Sequence, residues 1–126
     1  MLRLGHAREG SEVNQSLELE INRLHAEICA GLADPKRILI LYELSAGPRN
    51  VSELTANLRL DQSSTSRHLK VLRERGLVRA ARAGPAVEYR LSDDRLIQAL
   101  DLLRAVLQDS LNRRAELAEA LSESRP

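Results

Sequence analysis

Residues 61–78 read Asp-Gln-Ser-Ser-Thr-Ser-Arg-His-Leu-Lys-Val-Leu-Arg-Glu-Arg-Gly-Leu-Val. Within them, Gln62, Ser63, Ser64, Thr65, Ser66 and Arg67 gather an amide, four short hydroxyls and a guanidinium. These groups hydrogen-bond without bulk. The chemistry they suit is recognition: close approach to phosphate oxygens and to base edges in a DNA groove. Gln62 has the donor–acceptor pair that matches adenine, and Arg67 the fork that matches guanine. A helix must present them. Asp61 stands at its N-cap, Leu69 and Leu72 mark an apolar face, and Gly76 occupies the position of a left-handed C-cap. An ordinary surface helix would open with Glu and Lys, because Ser and Thr are mediocre helix formers.

The charge distribution points the same way. The 126-residue chain has a net charge of only +1, yet residues 61–90 hold seven Arg/Lys against three Asp/Glu, a balance of +4. Residues 1–60 and 91–126 come to −1 and −2. The basic field is confined to the recognition segment, and a dimer would double it on one face.

The flanking sequence supplies the frame. The chain has no Trp, no Phe and only Tyr42 and Tyr89, so leucine fills the core, which favours helix packed on helix. Its length fits one core. Residues 1–13 are expected to be a flexible leader, 14–121 a single domain and 122–126 a flexible tail. A first helix is predicted over 14–32, with Leu17, Ile21, Leu24 and Ile28 spaced four, three and four apart. Asp34 and Pro35 open a second, about 35–46, that Gly47-Pro48 breaks. Asn50 and Glu53 form a capping box for a short helix to about Leu58, and a tight turn leads into the helix at 61. Segments 78–82 and 87–91, with Gly84-Pro85 between them, read as a hairpin. Ser92 or Asp93 then caps a long helix, about 93–121, striped with Leu96, Leu100, Leu103, Leu107 and Leu111. A monomer would leave much of that leucine exposed, so a homodimer is expected, with Leu17, Ile21, Leu24, Leu100, Leu103 and Leu107 in its interface. The expected fold is mainly α with a small β-hairpin: a winged helix-turn-helix with flanking N- and C-terminal dimerisation helices.

Three segments resemble the ArsR/SmtB family of bacterial transcriptional repressors. They are Gly31-Leu-Ala-Asp-Pro-Lys-Arg37 with Ile38-Leu39-Ile40-Leu41, then Ser66-Arg-His-Leu-Lys-Val-Leu-Arg-Glu-Arg-Gly76-Leu-Val, then Glu88-Tyr-Arg-Leu91. The similarity covers residues 26–92 well and the flanking helices in character only. It implies a homodimer that binds double-stranded DNA at an inverted-repeat operator and is released by an effector; a cytoplasmic location is expected from the single Cys, which fits a reducing compartment. By the same resemblance Gln62, Ser63, Ser64 and Arg67 fall at base-contacting positions. Ser66, His68 and Lys70 fall near phosphate, and Arg82, Gly84 and Arg90 in the wing. For His68 a second reading stays open, a partly buried imidazole bonded within the helix-turn-helix. The sensor sites depart from the family: residues 51–58 have no Cys, residues 93–121 have no His, and the chain has a single Cys. The effector is therefore open.

Other classes fare less well. His25 and Cys29, four apart, would share a helical face, but two ligands per chain make a poor metal site. No metal or cofactor is expected, and Cys29 is a candidate redox sensor or a small interface hydrophobe. No phosphate-binding Gly-rich loop is present, and Ser66 and His68, two apart on a helix, diverge, so an enzyme is not expected. No apolar run is long enough to span a membrane. The competing function is a winged-helix module that binds a protein partner without specific DNA binding, though it would have no need for the basic field.

Overall fold

The computed structural model describes residues 10–124. Contacts group the chain into two units, one ending at Ser92 and the other beginning at Asp93, where one domain over 14–121 was expected. The helix that makes up most of the second unit satisfies its backbone internally, so its contacts are mostly local.

In the first unit, α1 spans Gly10–Leu24. Residues 10–13, expected as leader, are therefore helical, and residues 1–9 lie outside the described residues. The helix continues as one π-helical turn, His25–Cys29, closed by Ala30 N–H on the His25 carbonyl at 3.0 Å. Helix α2 spans Pro35–Ser45, with Asp34 as N-cap accepting from Lys36 N–H at 2.8 Å and proline in its first turn. Arg49–Asn50 forms β1, and Asn50 also caps α3, Val51–Leu58, in a full capping box with Glu53. Arg59 adopts a left-handed φ of 57°, uncommon for a residue with a Cβ, and turns the chain into α4, Gln62–Glu74. Strands β2, Val78–Ala83, and β3, Ala86–Leu91, form the hairpin, with Gly84 at φ 66° in its bend.

The sheet has three antiparallel strands in the order β1-β3-β2, because Arg49 pairs with Tyr89 and Asn50 with Glu88. The sequence reading missed this edge strand. The core is nearly all leucine: Ile40, Leu41 and Leu44 of α2, Leu54 of α3, Leu69 and Leu72 of α4, then Leu77 and Val78. Each fully buried side chain of this kind contributes about 1.5–3 kcal/mol.

In the second unit, α5 spans Arg95–Glu123, so part of the expected tail is helical. Asp93 serves its start, accepting from Arg95 N–H at 2.9 Å and pairing with the Arg95 guanidinium at 2.7 Å. This holds the Asp93 carboxyl well down, at about 2.

Candidate nucleic-acid interface

Two sets of hydrogen bonds orient α4. Asp61 Oδ1 accepts from Ser64 N–H at 2.7 Å and from Ser63 Oγ–H at 2.9 Å, which lowers its pKa below the usual carboxylate value. Thr65 is fully buried: its hydroxyl donates to the Asp61 carbonyl at 2.9 Å and accepts from Thr55 Oγ1 at 3.2 Å. That hydroxyl joins α3 to α4 across the turn, while Leu54, Leu69 and Leu72 are buried among the core leucines.

With this phase fixed, α4 presents Gln62, Ser63, Ser66, Arg67 and Lys70 to solvent, all of them exposed. Two residues expected on that arc are not there. Ser64 is buried, 6% exposed, in the first turn, where its N–H is held by the Asp61 cap. His68 is turned inward as well, its side chain 12% exposed. Arg37 Nη1 donates to His68 Nδ1 at 3.4 Å, so the ring proton sits on Nε2, which is 4.0 Å from Asp34 Oδ2. Burial lowers the His68 pKa; Asp34 opposes this, and Arg37, Arg67 and Lys36 add to it. The internal reading of His68 is the one this geometry matches.

The hairpin register sorts the wing residues. Arg82 pairs with Val87 and Ala80 with Tyr89, so Arg82 shares a face with Tyr89. Tyr89 lines an open groove of about 410 Å³ with Ser66, Lys70, Arg73 and Glu74 of α4. Arg90 lies on the opposite face, directly across from Arg79. Like charges directly opposite are unfavourable, and Glu88, two residues from Arg90 on that same face, offsets them in part. Arg82 and Gly84 thus sit toward the end of the hairpin, Arg82 on the α4 side, and Arg90 does not share that face. Sequence reasoning missed Arg73 and Tyr89. The spacing of Ser66, Lys70 and Arg73 along one helical face was the available signal for Arg73.

The residues expected at a dimer interface divide similarly. Leu17, Ile21 and Leu24 on α1 are exposed, as are Leu103 and Leu107 on α5, at 62% and 57%; Leu100 is buried, at 5%. Cys29 is exposed and closes the π turn that His25 opens. Among the described residues no three His, Cys, Asp or Glu side chains are grouped to hold a metal ion, and no helix is long and apolar enough to cross a membrane.

The arrangement is a helix-turn-helix followed by a wing, and comparison with known proteins agrees. Residues 34–80 match the family described as "Bacterial regulatory protein, arsR family". The chain is 36% identical over 99 residues to the HTH-type transcriptional regulator NmtR of Mycobacterium tuberculosis, covering 78% of this chain and 82% of that one. It is 37% identical over 93 residues to the HTH-type transcriptional repressor SmtB of the same species, covering 73% and 69%. In fold it is similar to a homodimeric winged helix-turn-helix DNA-binding domain from Mycobacterium bovis solved by NMR, with a TM-score of 0.64 and 24% identity over 86% of this chain and 94% of that one. These relatives are regulators, not enzymes. The chain belongs to the ArsR family of bacterial regulatory proteins.

Proposed function

We propose that this chain is a homodimeric, sequence-specific DNA-binding repressor that works in the cytoplasm and is released from an inverted-repeat operator by an effector. The observation that carries the reading is the outward arc of α4. Ser63, Ser66, Arg67 and Lys70 are exposed on one side of a helix whose other side is locked by Thr65, Leu69 and Leu72, and Gln62 is exposed at its first position. Gln62, Ser63 and Arg67 read bases in the major groove, Ser66 and Lys70 hold phosphate, and Arg82 reaches the backbone or the minor groove beside the site. Ser64 and His68 position the helix. The exposed apolar residues of α1 and α5 are covered by a second copy, which sets two recognition helices side by side.

Selection from a random-sequence duplex library tests this. The expected product is an inverted repeat with half-site centres ~10 base pairs apart, or a multiple of that. Binding that enriches no sequence and varies little with salt would support the protein-interaction module instead. DNA recovered from the native locus, screened for release by metals, thiol oxidants and small molecules, identifies the effector.

A further inference from the structure

Helix α4 is tied at two points to the segment that ends α1. Arg37, in the first turn of α2, makes the first tie. Its Nε donates to the Gly31 carbonyl at 2.7 Å, its Nη2 to the Ala30 carbonyl at 3.2 Å, and its Nη1 to His68 Nδ1 on α4 at 3.4 Å. Planar and forked, the guanidinium can hold these three acceptors at once, which an ammonium cannot. Asp34 brackets the imidazole from the other side with one oxygen and caps α2 with the other. The second tie lies just past the end of α4, where Arg75 Nη1 donates to the Ala26 carbonyl. Leu77 packs so close to Gly31 that a Cβ there would stand 2.8 Å from Leu77 Cδ1. The segment so held, Ala26–Gly31, contains most of the π turn, a feature found frequently at functional sites.

We infer that Asp34, Arg37 and His68 are positioning residues that set the recognition helix against the end of α1, with neutral His68 as the working form. The inference rests on the function proposed above and names the device through which movement of α1 reaches the bases. Nδ1 can accept from Arg37 only while the ring is neutral. Protonation removes that lone pair and leaves an imidazolium against Arg37, with Arg67 and Lys36 nearby and Asp34 as the one countercharge. The base-reading residues Gln62, Ser63 and Arg67 then lose their fixed angle, whereas phosphate attraction, which needs little geometry, persists. Because folding favours the neutral ring, the effect belongs below the imidazole's ordinary value of 6.5 and grows as pH falls.

The test is the ratio of affinities for two probes: the duplex that the wild-type chain enriches from a random library, and a random-sequence duplex of equal length. As pH falls from 7.5 through and below the imidazole's ordinary value, over the range in which the chain stays folded, the wild-type ratio should fall by up to about fivefold, the equivalent of one net hydrogen bond. His68→Asn places an amide oxygen near the Nδ1 position and does not titrate, so its ratio should match wild type at pH 7.5 and stay flat. Arg37→Lys, which keeps the charge and loses the fork, should lower the ratio about fivefold at pH 7.5 with random-duplex binding retained. A wild-type ratio that is flat with pH, or a His68→Asn profile that tracks wild type, would overturn the inference while leaving the proposed function intact. Absence of any sequence preference at pH 7.5 would overturn both.

Discussion

Thr65→Val isolates the contact that sets the angle between α3 and α4. Valine is close to isosteric with threonine, so the side-chain volume stays and the hydroxyl goes. Two hydrogen bonds disappear, the one to the Asp61 carbonyl at 2.9 Å and the one from Thr55 Oγ1 at 3.2 Å. At about 1 kcal/mol net each, their loss costs about 2 kcal/mol, since Thr65 itself is fully buried and no water takes the place of its hydroxyl. The added methyl returns at most ~0.8 kcal/mol by burial. The expected net loss is therefore about 1–2 kcal/mol. In urea this moves the unfolding midpoint down by ~0.5–1 M for a slope of ~2 kcal/mol/M. Protein concentration is held fixed, since the proposed dimerisation would shift the apparent stability. Thr65→Ser keeps both bonds and loses only a methyl group, so it separates hydroxyl from packing. A double-mutant cycle with Thr55→Val should show coupling of about 1 kcal/mol. A Thr65→Val protein as stable as wild type, or strict additivity with Thr55→Val, would refute the argument that this hydroxyl joins the two helices.

Leu103→Glu combined with Leu107→Glu should yield a folded monomer by sedimentation, because both side chains are exposed; at buried Leu100 the same charge should unfold the chain. A double variant that stays dimeric moves the interface off α5. Arg82→Ala should weaken DNA affinity and keep the base preference, whereas Arg90→Ala, on the other face of the hairpin, should have the smaller effect in a titration; the reverse order would put the wing on DNA by its opposite face. Cys29→Ser should leave DNA binding unchanged with or without zinc, cadmium or arsenite, since too few soft ligands accompany it. Metal-driven release at stoichiometric concentration, abolished by Cys29→Ser, would make His25 and Cys29 a sensor.

Local signals in the sequence located most elements. Asp34, the Asn50–Glu53 box and Asp61 all act as the caps their positions suggested, since capping depends on residues three apart or fewer. Strand β1 went unread because its two residues carry no alternation and Asn50 is also the α3 cap. The π turn was hidden because apolar spacing of four, three and four suits an α-helix equally well. Within α4, residue type misled for Ser64 and His68, which look like contact residues by chemistry. Helical phase puts His68 about 40° from buried Leu72 and so could have turned it inward, but it puts Ser64 about 80° away and does not account for that burial. The tie from Arg37 to His68 joins side chains 31 positions apart, and the same guanidinium donates to the Gly31 carbonyl, a combination no local pattern encodes.

The proposed division of labour along the exposed side of α4 is tested most directly by paired salt titrations of two variants. Specific and random duplex affinities are measured from low to high salt for wild type, Gln62→Ala and Lys70→Ala. Gln62→Ala should lose ~1–3 kcal/mol of specific binding, relax the preference at one position per half-site and keep the wild-type salt slope. Lys70→Ala should weaken all sequences alike and reduce the slope by about 2 per dimer, one phosphate contact from each protomer. Equal losses of specific and random binding in both variants, with the slopes unchanged, would contradict the account.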